Sequence, residues 1–253
     1  CTRKKTLEDM IQMQEATSLN LTGQQYTLNR TLGVNVVEAG KDLRHLLGRG
    51  FNRESAVRFV ADRYQLSRTE RLILYRGVYD KATAQMHRRK TVSKMGIRDK
   101  RLAVDGYNVM ITLESALLGR LLILCDDGIV RDVSAVHSKY RSSNTTDKAL
   151  DKIVTEIASL KPSQVMFFLD GQISKSGELA SLIRAKFAHI DQRGGAVAAR
   201  NADSMALSFG EVVATSDSAL IERAEAVTDL AGIIIKEERL SQLSEIRQSG
   251  GHA

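Results

Sequence analysis

The sequence predicts an α/β fold: a mostly parallel sheet flanked by helices and carrying an inserted β-hairpin, preceded by a small basic helical domain. Three observations lead there. Short apolar runs alternate with helical patterns from residue 102 to 235, the rhythm of strands joined by crossover helices. Three of those runs end on an aspartate: LAVDGYN at Asp105, VMFFLDG at Asp170 and EVVATSDS at Asp217. The first hundred residues instead show helical periodicity and a large excess of Lys and Arg. We therefore place a basic helical domain and linker over residues 1–100 and the α/β domain over 101–253.

The helical part divides at its capping signals. A short helix is expected over residues 6–16. A second, over about 36–48, places Val36, Val37, Leu43, Leu46 and Leu47 on one face, and Gly48 and Gly50 end it. Asn52 caps a helix from Glu54 to Tyr64 with Ala56, Phe59 and Val60 apolar. Ser67 and Glu70 form a capping box for a helix to about Met86 that buries Leu72, Ile73, Tyr75 and Val78. A basic linker then runs from His87, Arg88, Arg89 and Lys90 through Lys94, Arg98, Lys100 and Arg101.

The α/β part begins with a buried strand over 101–104, and a helix over 108–118 carries Glu114. Asp127-Gly128 between apolar runs marks a hairpin with strands at about 121–125 and 129–133, in which Asp126 and Asp127 read as turn residues. A polar loop holds His137, Tyr140 and Arg141. The polar cluster at 142–146 caps a helix from Asp147 to Leu160, and Pro162 helps stop it. A strand over 164–169, a helix over 178–188 and strands over 195–200 and 211–215 complete the series. From Lys236 a short amphipathic tail, with Leu240, Leu243 and Ile246, is expected to pack on the sheet or on a second copy of the chain.

Composition excludes several classes. No run approaches the roughly 18 apolar residues of a membrane span, and the first residues lack the apolar stretch of a secretory signal. The two cysteines, Cys1 and Cys125, make neither a zinc spacing nor a disulfide framework, so we expect a soluble, cytoplasmic protein. A Gly-x-x-x-x-Gly-Lys-Ser/Thr loop, a Gly-x-Ser-x-Gly elbow and a His pair at zinc spacing are all missing. The net charge of +7 splits into +11 over residues 1–101 and −4 over 102–253. A basic front joined to an acidic back suits an enzyme whose cations hold a phosphate backbone while carboxylates hold an ion.

Strands that end on acids aim those acids at the crevice outside the carboxyl ends of the sheet. Carboxylates crowded there resist ionising together unless a divalent cation sits among them. We therefore expect Asp105, Asp170 and Asp217 to bind Mg²⁺ or Mn²⁺ and catalyse, with Glu114 and Asp229 as further metal-ligating acids. Asp217 and Asp229 also have the position of helix caps. For substrate, Asn108 would orient it, Tyr107 and Tyr140 would stack on bases, and Ser174 and Ser176 would hold a phosphate at a helix N-terminus. His137, Arg141, Arg88, Arg89 and Lys90 would contact phosphates. With only 5% aromatic residues, backbone recognition is expected more than base readout.

The set Asp105-Gly106-Tyr107-Asn108, Asp170 and Thr215-Ser216-Asp217-Ser218 resembles the PIN-like nuclease superfamily. The whole chain also resembles an archaeal family of unknown function in which a helical leader like LLGRGFNRESAVRFVADRYQLSRTERLILYRG (residues 46–77) precedes such a domain. The resemblance implies a PIN-like, Rossmann-like fold and Mg²⁺- or Mn²⁺-dependent cleavage of RNA. The late Asp-x-x-Asp pair common in PIN-like sites is missing, because Ala219 and Leu220 follow Asp217-Ser218. The expectation is thus a metal-dependent nuclease acting on RNA. The alternatives are a degenerate binder of RNA or ribonucleoprotein and a small-molecule phosphohydrolase using the same acids.

Overall fold

In the computed structural model, residues 32–134, 140, 143–190 and 192–246 are described. The helix expected over 6–16, and with it His137 and Arg141, lies outside them. The helical part contains α1 (Val34–Gly48), α2 (Arg53–Arg63), α3 (Arg68–Gly77) and α4 (Lys81–Lys90). Asn52 accepts from the Ser55 N–H at 3.1 Å. The capping box closes in both directions, Ser67 N–H to Glu70 Oε2 at 2.8 Å and Glu70 N–H to Ser67 Oγ at 3.4 Å.

One expected helix is in fact two. The chain leaves the α conformation at Val78, and Asp80 starts α4 by accepting from the Thr83 N–H at 2.9 Å. At the break the Gly77 carbonyl accepts from the Asp126 N–H at 2.9 Å instead of from a continuing helix, and Gly77 packs against Ile123, which a Cβ there would meet at 2.9 Å. The basic stretch His87–Lys90 is consequently the last turn of α4 rather than a linker, at the helix end where cations are favoured.

Beyond a 3-10 turn at Lys94–Gly96 follow β1 (Arg101–Asp105), α5 (Gly106–Leu117), β2 (Leu122–Leu124), β3 (Val130–Asp132), α6 (Asn144–Leu160), β4 (Gln164–Asp170) and α7 (Ser176–Phe187). The chain continues through β5 (Gly194–Ala199), α8 (Ala202–Phe209), β6 (Val212–Ala214), α9 (Ser218–Arg223), β7 (Val227–Thr228), α10 (Leu230–Glu237) and β8 (Leu243–Glu245). The main sheet has the order β5-β4-β1-β6-β7 and every pairing in it is parallel. Its strands are buried on both faces, as parallel strands under crossover helices must be. Leu102, Val104, Phe167 and Ala214 face the core shared with α5, α6, α7 and α10, while Ala103, Phe168 and Val213 face the core under α8 and α9.

The hairpin of β2 and β3 forms as the Asp127-Gly128 turn predicts, with Gly128 at φ +84°. It does not join the main sheet. The tail strand β8 adds to β2 in parallel, giving a second sheet β3-β2-β8. Ile123, Cys125, Val133 and Ile246 from this sheet enter the core of the helical part. None of the described helices is long and apolar enough to cross a membrane.

Candidate functional site

The order of the main sheet reverses at β1: the chain steps out to β4 and β5 on one side, then returns to β6 and β7 on the other. Ligand sites of open α/β sheets lie at such a point, outside the carboxyl ends of the strands. Asp105 ends β1 and Asp170 ends β4, while Thr215, Ser216 and Asp217 follow β6. Gly106 permits the tight exit from β1, since a Cβ there would meet Leu169 Cδ2 at 2.5 Å and the Phe168 carbonyl at 3.3 Å.

A fourth acid, which the sequence reading missed, joins them. Asp203 lies in the first turn of α8, just past β5. Burial is the largest influence on the Asp105 carboxyl, and the charges of Asp217 and Asp203 add to it. Together they outweigh a hydrogen bond from Thr215 and raise its pKa to about 7. Asp203 is also raised, by burial first and then by Asp217 and Asp170, against Arg223. The four carboxylates therefore share one electrostatic neighbourhood. Among the described residues no three His, Cys, Asp or Glu side chains stand close enough to hold one metal ion, so the acids form a loose group rather than a closed cage.

Hydrogen bonds fix the loop that carries Asp217. The Thr215 hydroxyl donates to Asp105 Oδ2 at 2.8 Å and accepts from the Asp217 N–H at 3.0 Å. Asp217 Oδ1 accepts from the Leu220 N–H at 3.0 Å, so this residue both caps α9 and faces Asp105. Asn108 Oδ1 accepts from the Ser216 N–H at 3.1 Å and from the Ser216 hydroxyl. Its amide oxygen thus holds protein rather than substrate. On the other side of the site, Asp170 Oδ1 accepts from the Gln172 N–H at 2.8 Å.

Several expected site residues lie elsewhere. Glu114 is buried away from the group, its Oε1 accepting from Thr146 at 2.6 Å and from Tyr140 at 2.8 Å. Asp229 is a buried structural cap, accepting from Gly232 N–H at 2.9 Å and from Val130 N–H at 2.8 Å. Tyr107 and Tyr140 are buried against each other, ring centroids 5.1 Å apart, which removes both as stacking platforms. Ser174 is exposed, whereas Ser176 is buried with its N–H bonded to the Ile173 carbonyl at 3.2 Å. Neither serine caps α7, whose N-cap is Lys175 in the left-handed region. Lys90 Nζ donates to the Glu222 carbonyl at 2.6 Å and to Ile221, tying α4 to the end of α9. Arg88 is exposed, with one nitrogen on the Asp126 carbonyl, and Arg89 is exposed beside it.

The two hairpin aspartates are much more than turn residues. Asp126 binds Arg44 through two hydrogen bonds of 2.7 Å and accepts from the Tyr79 N–H at 3.0 Å. Asp127 is fully buried, with His87 Nδ1 at 2.8 Å and the two terminal nitrogens of Arg131 at 2.8 and 2.7 Å. Burial opposes its ionisation, yet the Arg131 charge and the His87 and Arg131 hydrogen bonds hold its carboxyl well below the usual range. Arg131 Nε then donates to the Ser216 carbonyl at 2.7 Å, and the Tyr79 hydroxyl meets Ser218 Oγ at 2.5 Å. A buried network thus runs from the helical part through the hairpin to both neighbours of Asp217.

Two concavities adjoin these elements. A cavity of about 530 Å³ beside Asp217 is walled by Arg53, Arg76, Asn108, Arg131 and Asp132. A groove of about 750 Å³ follows α1 and α4 past Lys41, His45, Arg49, Lys81 and Arg88.

Residues 94–233 match the family described as "Domain of unknown function (DUF5616)", and residues 36–90 match "Protein of unknown function (DUF434)". The "Uncharacterized protein MJ0935" of Methanocaldococcus jannaschii is 35% identical over 199 residues, covering 78% of this chain and 95% of that protein. No solved structure matches the chain. With its main sheet and its four acids inside the first of these matches, the chain belongs to the DUF5616 family, carrying a DUF434 helical segment ahead of it.

Proposed function

We propose that this protein is a divalent-metal-dependent nuclease of PIN-like type that hydrolyses phosphodiester bonds in RNA. The observation that carries this reading is the electrostatic coupling of Asp105, Asp203, Asp217 and Asp170 at the carboxyl edge of the sheet, where the strand order reverses. The donor set fits Mg²⁺ or Mn²⁺, since it offers hard carboxylate and hydroxyl oxygens. Asp105, held partly protonated near neutrality by burial and by its acidic neighbours, is a group whose ionisation such a cation would favour. Because no three of these side chains yet stand within reach of one ion, Asp105, Asp170, Asp203 and Asp217 would have to close on it; when bound it would supply an activated water and offset charge on the leaving oxygen.

The chain's own residues do the rest. Thr215 orients Asp105, Asn108 and Arg131 fix the loop bearing Asp217, and the groove along α1 and α4 offers cations to the strand. The cysteine usage suits a reducing, cytoplasmic compartment. In a cleavage assay on single-stranded RNA with Mn²⁺, Asp105→Asn should lower the rate by more than about a hundredfold, beyond the ten- to a hundredfold typical of outer-shell partners of a metal. Its affinity for RNA in EDTA should be unchanged. A fully active Asp105→Asn protein would remove the proposal.

The loose spacing of the carboxylates favours one rival, a binder of RNA that cuts nothing. It predicts RNA affinity without Mn²⁺-dependent products in the wild-type protein.

A further inference from the structure

The main sheet is incompletely covered at its β5 edge. α8 packs over β1 and β4, and beside it Gly195 and Val197 of β5 line an open groove of about 650 Å³, a volume in the range of small-ligand sites. The groove is apolar along its length, with Met166 and Phe168 from β4 and Met205 and Phe209 from α8. Met166, Val197, Met205 and Phe209 are part-exposed, so an occupant can touch them. The Phe168 and Phe209 rings stand 5.8 Å apart between centres. Parallel sheets are ordinarily covered on both faces, and an apolar strip left open marks a place for a ligand.

Two observations say which kind. Arg184, from α7, is the charged residue of this lining, and no Asp or Glu shares it among the described residues. It reaches over the sheet edge, Nη1 donating to the Ala196 carbonyl and Nη2 to Ser181 Oγ, each at 2.8 Å. Both partners are neutral and the residue is exposed, so its guanidinium keeps charge and N–H groups for an anion. A second copy of the chain adding a strand to β5 would have to displace Arg184 from that edge carbonyl, which favours a small flat body over another sheet. The second observation is position. Asn201 and Ser204 line one end of the groove on either side of Asp203 in the chain, within about one helical turn of an acid of the coupled group. The exposed Asn201 amide offers a donor and an acceptor there. A flat apolar body bearing an anion, held beside those acids, describes a nucleotide.

We infer that this groove seats a nucleobase of the RNA strand next to the acidic group, against Val197, Met205 and Phe209, with a phosphate of the same strand on Arg184. The inference rests on the nuclease reading and adds to it a base-binding subsite. Such a surface stacks any base, so it holds the strand without reading sequence. It takes the stacking task that the buried Tyr107 and Tyr140 cannot perform.

The test is a titration of the whole chain, labelled with ¹³C at the methionine methyls, in EDTA with adenosine and uridine 5′-monophosphates, adenosine, inorganic phosphate and the trinucleotide pApApA. The Met166 and Met205 signals, assigned through Met166→Leu and Met205→Leu, should shift saturably with both monophosphates, and with the trinucleotide at lower concentration. Adenosine should bind at least about tenfold more weakly, since it lacks the group that bonds a charged donor. Arg184→Gln should bring the monophosphate down to the affinity of adenosine. No saturable shift of either methyl, an equal response to inorganic phosphate, or undiminished binding by Arg184→Gln would overturn the inference. So would methyl shifts that follow protein concentration, which mean a second copy, or rejection of the trinucleotide, which means a site for free nucleotides. Should Arg184→Gln not fold, the wild-type preference for monophosphate over adenosine decides alone. Because EDTA prevents cleavage, these outcomes are independent of the Asp105→Asn assay: failure here with that assay positive removes the groove and leaves the nuclease.

Discussion

Asp105 and Asp127 are both aspartates packed in protein, and their surroundings push them in opposite directions. Burial, with acidic neighbours adding to it, raises Asp105; Asp127 is buried too, but Arg131 and His87 outweigh that and lower it. A carboxyl whose folded pKa is depressed contributes stability above its unfolded value, near 3.9, and loses that contribution as the pH falls towards the folded value. The wild-type protein should therefore lose stability as the pH drops below about 4. Removing one member of a buried charged set leaves the others unpaired, so Asp127→Asn should cost about 3–5 kcal/mol at pH 7. Its acid dependence should flatten. Urea denaturation at pH 7 and pH 3 reads both effects, and an Asp127→Asn protein as stable as wild type would refute the role given to this network. What the sequence made legible also sorts at this scale. Asp105, Asp170 and Asp217 stood out because each closes an apolar run, and all three reach the same edge. Asp203 obeys the same logic but was hidden, since the start of a helix separates it from β5. Glu114, Asp229 and Tyr107 were misassigned because burial partners such as Tyr140, Thr146 and Val130 come from distant parts of the chain.

At the scale of elements, the segment joining β6 to α9 is held by neighbours from several others. Thr215 contacts Asp105, Ser216 is held by Asn108 and Arg131, and Ser218 meets Tyr79. Thr215→Val keeps the shape of the side chain while removing both hydrogen bonds of the hydroxyl. Leaving the Asp217 N–H and Asp105 without this partner should cost about 1–3 kcal/mol and slow cleavage, with RNA affinity in EDTA retained. Wild-type cleavage by Thr215→Val would show that the loop needs no such lock. Element existence was largely readable: the caps at Asn52 and Ser67 and the Asp127-Gly128 turn act through local chemistry that any context preserves. The break after Gly77 was not readable, because the carbonyl there is taken by the Asp126 N–H, forty-nine residues later. Nor was α8, a short helix of eight residues with a single buried side chain, Ala206.

The whole molecule joins a basic helical part to an acid-edged sheet by an auxiliary sheet that belongs to both. Ile123, Cys125 and Ile246 fill the helical core, while β2 and β8 lie in the strand series of the α/β part. The alternation of strands and helices was enough to give the parallel sheet, since period and connection handedness leave few other arrangements. It gave no warning that the hairpin would turn away from that sheet, a choice made by contacts with the helical segment. The asymmetry of charge along the chain acquires a geometric meaning from this arrangement, with cations along α1 and α4 and carboxylates beyond β1, β4, β5 and β6. The central claim is that those carboxylates together bind a divalent cation. Calorimetric titration of the intact protein with Mn²⁺ at pH 7.5 tests it most directly: the account predicts saturable uptake that Asp105→Asn abolishes and Asp203→Asn weakens by about ten- to a hundredfold. Absence of saturable uptake, or equal uptake by wild type and Asp105→Asn, would contradict it.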